Sequence, residues 1–215
     1  VGEYENILFL EALRLMKIKH PNDVITVMVS YVPIPSKVGE MKTKPTQHAV
    51  RTLNGTGIQP DIIIARSETA MDKKRKEKIS MFCNVSEDCV ISAPDIESIY
   101  EVPINFEKDN LSQLILKKLR LKSRKTDLKE WRALVENIKH LKKRVMIGIV
   151  GKYFGTGDFV LSDAYISVIE AIKHAAYAHK VKPEIDWINS EVYEKDPTKL
   201  EELKLTDKNR VISID

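Results

Sequence analysis

The chain has 215 residues, 43% hydrophobic, and a formal net charge of +4; that is enough apolar content for one large or two small domains, excludes a disordered chain, and leans toward anionic small molecules without requiring nucleic acid. Its two cysteines, Cys83 and Cys89, make neither a zinc set nor a disulfide framework and read as buried thiols of a reducing cytoplasm. No apolar run reaches the roughly 18 residues of a membrane span and no secretory leader is visible, so a soluble, cytoplasmic protein with no membrane or nucleic-acid partner is expected.

From Ile7 to Met16 apolar residues recur at helical spacing, which predicts a helix starting near Glu5 and ended by Pro21-Asn22-Asp23. Val24 to Val32 is a β-branched run and reads as a buried strand of a parallel sheet. Asp61 to Ala65 predicts a second buried strand with Arg66 at its carboxyl end, Asp72 to Phe82 a basic-faced helix, and Cys89 to Ser92 a short strand before a turn at Ala93-Pro94-Asp95. Leu111 to Leu119 predicts an amphipathic helix, residues 120–143 a charged linker with its own helix over Trp131 to Leu141. A second α/β unit follows: a strand at Arg144 to Val150, a turn at Gly151-Lys152-Tyr153, a loop holding Gly155 and Gly157, a helix over Asp163 to Ala178, and strands near Glu184 to Ile188 and Val211 to Ile214. Strands alternating with helices make the fold class α/β.

The loop after the first strand concentrates phosphate-binding side chains. Pro45 disfavours the helical region at Lys44, so residues 42–46 are expected to be extended, with Lys42, Lys44 and Thr46 on one face as a triphosphate cradle. Thr46 suits the N-cap of a helix over Gln47 to Leu53, whose positive end would sit beside the same anion. The loop leaves the carboxyl end of a strand, where open α/β sheets bind their ligands.

Other charged positions have plainer readings. Lys73-Lys74-Arg75-Lys76-Glu77-Lys78 is a solvated helix face in most contexts, although Lys78 borders the buried side; the run lacks the interleaved aromatics of a single-strand nucleic-acid platform. Arg66 either snorkels at a strand end or reaches a phosphate. The segment from Gly148 to Tyr153 lacks the glycines and the Lys-Ser/Thr ending of a phosphate loop and reads as a strand-to-loop turn.

The segments Gly39 to His48 (GEMKTKPTQH), Gly57 to Asp61, Lys78-Ile79 with Phe82 to Val85, and Ser98-Ile99-Tyr100 closely resemble CTP synthase. Val150 to Tyr153, Asp163 to Tyr165 and Ser167 to Ala171 resemble the opening of that family's glutaminase domain, so the likeness covers nearly the whole chain. It implies a P-loop-type, Rossmann-like synthetase domain ending near 119, the linker at 120–143, and from 144 to 215 the first part of a flavodoxin-like class I glutamine amidotransferase domain. The implied enzyme is a carbon–nitrogen ligase of pyrimidine biosynthesis: ATP with Mg2+ phosphorylates UTP at O4, and ammonia from glutamine displaces the phosphate to give CTP.

The resemblance also distributes roles. Lys42 and Lys44 would be catalytic and, with Thr43, Pro45, Thr46, Gln47 and Lys78, would bind UTP or CTP; Arg66, Pro94, Asp95 and Ile96 would bind ATP. Glu3, Tyr4, Glu5 and Phe82 would take the inhibitor CTP, although Gly2-Glu3-Tyr4-Glu5 departs from the family's Gly-Asp-Ile-Glu by two larger side chains. Homodimers or homotetramers and GTP as a further effector are implied as well. The chain opens on Val1 without a methionine and reads as an internal piece, with the family's phosphate loop and magnesium carboxylates expected before it and the glutaminase nucleophile after it. No metal ligand is expected within it, and the piece alone is expected to be inactive; a non-catalytic nucleotide-binding or scaffolding module of the same fold is the alternative.

Overall fold

A computed structural model describes residues 3–37, 39–123, 127–152, 155–156, 159–160, 165–198 and 210–213. The expectations at Gly2, Tyr153, Gly157, Asp163, Ala164 and Ile214, and the side chain of Glu3, lie outside the described residues. The chain divides into two compact units, Val1–Leu128 and Lys129–Asp215.

In the first unit, helix α1 (Glu3–Lys19) leads into a parallel three-stranded sheet in the order β1 (Val27–Tyr31), β2 (Ile62–Ser67), β3 (Val90–Pro94). Residues 62–65 are three isoleucines and an alanine, all buried, because the middle strand is covered on both faces. On one face Ile63, Ala65 and Val90 pack with Val50 of α2 (Lys44–Gly55) and Ile79 and Cys83 of α3 (Lys73–Cys83). On the other, Ile62, Ile64, Ile91 and Ala93 meet Phe106 of α4 (Val102–Lys108) and Leu111, Leu114 and Ile115 of α5 (Leu111–Lys118).

Two sequence expectations need correction here. β1 is an edge strand and not buried on both sides: Val29 is 62% exposed, because α4 and α5 cover the half of that face formed by β2 and β3. An unbroken apolar run records residue type, and what lies over each face is a matter of tertiary packing. Residues 44–46 are not extended but form the first turn of α2, with Thr43 in place of Thr46 at the N-cap. Proline fits there because the first-turn N–H groups have no intrahelical acceptor, so its missing donor costs nothing.

Side chains fix the helices to the sheet. Lys17 near the end of α1 bonds the Asp61 carboxylate, whose Oδ2 also accepts the Thr26 N–H at 2.7 Å. The α3 amino end is capped by Asp72, which accepts from the Arg75 N–H, and its carboxyl end by left-handed Asn84. The Gln59 amide donates to the Cys83 carbonyl at 2.9 Å and ties that end to the loop before β2. Asp109 accepts from Lys76 and from the Ser92 N–H, both at 2.7 Å, and so joins α3 to the outer edge of β3.

The second unit holds α6 (Lys129–Lys139), β4 (Arg144–Gly151), the antiparallel pair β5 (Gly155–Thr156) and β6 (Phe159–Val160), α7 (Ile166–Ala178), β7 (Lys182–Asn189), α8 (Ser190–Lys195) and β8 (Arg210–Ser213). Its main sheet is parallel in the order β7-β4-β8. Ile149 of β4 packs against Ile169 and Ile172 of α7. Gly148 and Gly151 lie inside β4, so this segment is strand and not a phosphate-binding turn.

Gly57, in the turn after α2, has φ +81, and a Cβ there would stand 2.9 Å from Cδ of Arg14 on α1. Gly57→Ala is expected to lower unfolding stability by about 1–2 kcal/mol from the left-handed backbone alone. Gly55→Ala, where an added Cβ meets nothing within 4 Å, is the control expected to be near neutral; urea midpoints of the two variants check the contrast.

Candidate functional site

The carboxyl ends of β1 and β2 carry two groups of side chains, one toward each face of the sheet. On the α2–α3 side, Thr46 is fully buried and its hydroxyl accepts from Ser30 Oγ at 2.9 Å and donates to the Tyr31 carbonyl at 3.3 Å. This bonds the first turn of α2 to β1 and sets the position of the lysines before it. Thr46 is therefore a structural pin and does not share a ligand face with Lys42 and Lys44. Gln47 is also buried; its amide nitrogen donates to Thr43 Oγ1 at 3.1 Å, and its Oε1 is buried without a partner among the described residues.

Lys42 precedes the helix, held by its N–H to the Pro33 carbonyl at 2.8 Å. Its ammonium pairs with Glu40 at 2.6 Å, and the other Glu40 oxygen accepts from Arg75 at 3.2 Å. Arg75 in turn pairs with Asp72 at 2.6 Å. The hydrogen bond from Lys42, then its charge and that of Arg75, hold the Glu40 carboxyl below the usual glutamate range. A carboxylate so depressed stabilises the fold above its unfolded-state pKa, and this contribution is lost as pH falls through the lower folded value. Lys44 places its ammonium 5.8 Å from the centre of the Phe82 ring, within cation–π range. No side chain caps the start of α2.

These contacts place Lys42, through Glu40 and Arg75, beside the amino end of α3, and Lys44 beside Phe82 near the carboxyl end of the same helix. Lys78 is exposed on α3. Tyr4 and Glu5 are exposed at the start of α1, Tyr4 at 89%, and no hydrogen bond, ion pair or ring contact joins them to Phe82 among the described residues. Glu40 and Arg75 were not singled out by sequence; the Asp72-x-x-Arg75 spacing at the head of α3 was the available signal. The basic run itself is largely paired, Lys73 with Glu77, Arg75 with Asp72 and Glu40, and Lys76 with Asp109.

On the opposite face a cavity of about 470 Å³ opens beside the strand ends, and Arg66, Pro94, Asp95 and Ile96 all line it. Arg66 lies within β2, whose last residue is Ser67, and pairs with Asp95 at 3.1 Å at an exposed rim. Val29, Ile64 and Ala93 form the sheet side of the cavity and Val102, Asn105 and Phe106 of α4 the other. Sequence reasoning missed α4 and with it this wall. Among the described residues no group of three or more His, Cys, Asp or Glu could hold a metal ion, and no helix is long and apolar enough to cross a membrane. Burial raises the pKa of the Cys83 thiol.

Parallel strands with helices on both faces and ligand-type side chains at the strand ends make the first unit a Rossmann-like α/β protein. Its family is narrower than that class: the model of the CTP synthase N-terminus matches residues 1–121, and the chain belongs to the CTP synthase family. It is 47% identical over 201 residues to the CTP synthase of Thermococcus gammatolerans, covering 93% of this chain and 37% of that protein. The CTP synthase of Methanococcus aeolicus is 46% identical over 194 residues, 89% of this chain and 35% of that protein. The CTP synthase of Pyrococcus furiosus is 47% identical over 201 residues, 93% and 36% respectively. The chain thus spans little more than a third of the length of these relatives.

Glu40 holds two cations, Lys42 and Arg75, side by side. Glu40→Gln is expected to tighten inorganic tripolyphosphate binding roughly two- to fivefold, the scale of an exposed ion pair, as read by calorimetry at low salt. Unchanged affinity would remove Lys42 and Arg75 from the anion site.

Proposed function

We propose that the chain is the part of a CTP synthase in which UTP and ATP are held at the ends of one parallel sheet. The observation that carries the reading is that the residues expected for each nucleotide separate onto opposite faces: Lys42 and Lys44 with Phe82 on one, Arg66, Pro94, Asp95 and Ile96 around one cavity on the other. In this reading Lys42 leaves Glu40 for the UTP triphosphate, and Lys44 adds a second charge while resting on Phe82. The N–H groups opening α2 meet the same phosphates. Lys78 completes the pyrimidine nucleotide site, and Thr43 and Gln47 hold the loop that carries the lysines.

ATP lies in the apolar cavity with Arg66 at its rim. The reaction transfers the γ-phosphoryl group of ATP to the uracil O4, releasing ADP; ammonia then forms a bond at C4 as the C4–O4 bond breaks and phosphate departs. Lys42 and Lys44 position the acceptor and offset negative charge as it gathers. Among the described residues no group of three or more His, Cys, Asp or Glu gathers where the Mg2+ expected with ATP would lie. Glutamine as ammonia source, an amidotransferase unit beginning near residue 144 after a linker, CTP inhibition through Glu3, Tyr4, Glu5 and Phe82, GTP as effector, and assembly as a dimer or tetramer belong to the same proposal. So does a cytoplasmic location, and so does inactivity of these 215 residues on their own.

In the complete enzyme, Lys42→Ala with Lys44→Ala is expected to raise KM for UTP roughly 10- to 100-fold, the loss of charge-assisted hydrogen bonds, and to leave ATP affinity nearly intact. UTP taken up and aminated as before would overturn the assignment. Arg66→Ala is expected to do the converse, raising KM for ATP roughly tenfold with little change for UTP; steady-state kinetics with each nucleotide varied in turn separates the two.

A further inference from the structure

The second unit contains a cleft of about 620 Å³ at the carboxyl ends of α6 and α7 and the start of β4. Its cationic lining is Lys142, Lys143 and Lys180, with His140 and His179 beside them, and no carboxylate lines it. Three other cations of this unit are paired: Arg144 with Glu184 at 2.6 Å, Lys152 with Glu194 at 2.5 Å and Lys173 with Glu170 at 2.7 Å. No ion pair is made by the three cleft lysines among the described residues; Glu136 stands 3.8 Å from His140 Nδ1. The floor is apolar, formed by Leu134, Ile138, Leu141 and Tyr177.

Two helix ends would ordinarily place negative dipole charge in such a cleft. Here those carbonyls are occupied. The N–H groups of His179, Lys180 and Val181 bond Ala175, Tyr177 and Ala176, with Lys180 in the left-handed conformation that closes α7, and the His140 and Leu141 N–H groups bond carbonyls of α6. The lysine charge is therefore left for something else, and bringing these like charges together costs energy that an anion would offset.

We infer that this cleft is a binding site for a small polyphosphate-bearing molecule, separate from the nucleotide surfaces of the first unit. Its volume lies in the range of small-molecule sites. Lysines at the rim and an apolar floor suit a polyanion attached to a flat apolar body, and inorganic polyphosphate offers the same charge without the body. The inference does not depend on the proposed reaction, because none of its residues is shared with Lys42, Lys44 or Arg66.

The test follows the imidazole signals of His140 and His179 by NMR while tripolyphosphate, ATP or adenosine is added to the full chain. Saturable shifts are expected with tripolyphosphate and ATP and not with adenosine. They are expected to weaken roughly tenfold or more when Lys142, Lys143 and Lys180 are all replaced by Gln, the combined loss of three exposed ion pairs. They are expected to persist when Lys42 and Lys44 are replaced by Ala. Tighter binding of ATP than of tripolyphosphate assigns the apolar floor to a nucleoside, equal binding assigns the cleft to polyphosphate alone, and both uphold the site. Absence of saturation in the millimolar range, or shifts unaffected by the triple Lys→Gln change, overturns it.

Discussion

The buried hydroxyl of Thr46 holds the proposed chemistry in place. By accepting from Ser30 and donating to the Tyr31 carbonyl, it bonds the first turn of α2 to the end of β1. An ammonium group on a four-carbon stem is a poor positional element by itself; its usefulness depends on where its Cα is held. Lys44 stands two residues before this pin, and Lys42 is fixed independently by the Pro33 carbonyl. One side-chain and one backbone anchor thus hold the segment that carries the two flexible cations at the carboxyl end of β1. Thr46→Val would keep the shape and lose both bonds, leaving the Ser30 hydroxyl without its acceptor in a buried place.

The parallel sheet separates the two proposed nucleotide regions because side chains alternate between its faces. In register, Tyr31, Arg66 and Ala93 stand side by side on one face, while Ser30 and Ala65 point to the other. Arg66 is thereby committed to the cavity under α4, and Ser30 to the pin under α2. A one-residue slip of β2 would exchange these surfaces and turn Arg66 toward the α2–α3 core, where its charge would be buried. Core packing and separation of the two groups of side chains are consequences of the same register.

Much of this was legible in the sequence, since β-branched runs and helical periodicity located β2, α3, α5 and β4. Elements that depend on tertiary neighbours were less so. The run from Val24 to Val32 has the residue types of a doubly covered strand, yet only packing reveals that β1 is an edge. Pro45 could not by itself distinguish an extended loop from the first turn of a helix, because both accept its φ and neither needs its N–H. The seven-residue α4, with Pro103 near its start, is too short to carry a periodic signal, and the wall it lends to the cavity was invisible for that reason. The KTKPTQH block stands out through its resemblance, whereas the bonds that bury Thr46 and Gln47 emerged only from the packing.

Glu40 gives the lysine end of the sheet a resting arrangement. Lys42 and Arg75 come from different elements, and without a counter-charge they would repel each other and drift into solvent. A carboxylate accepting from both holds them together, at the low energetic value of an exposed pair, so a phosphate with more oxygens and more charge can take its place at little cost. A buried bridge in the same position would be too strong to release and a neutral one too weak to gather the cations. Partial exposure of Glu40, Lys42 and Arg75 would therefore keep the proposed anion site ordered and exchangeable at once.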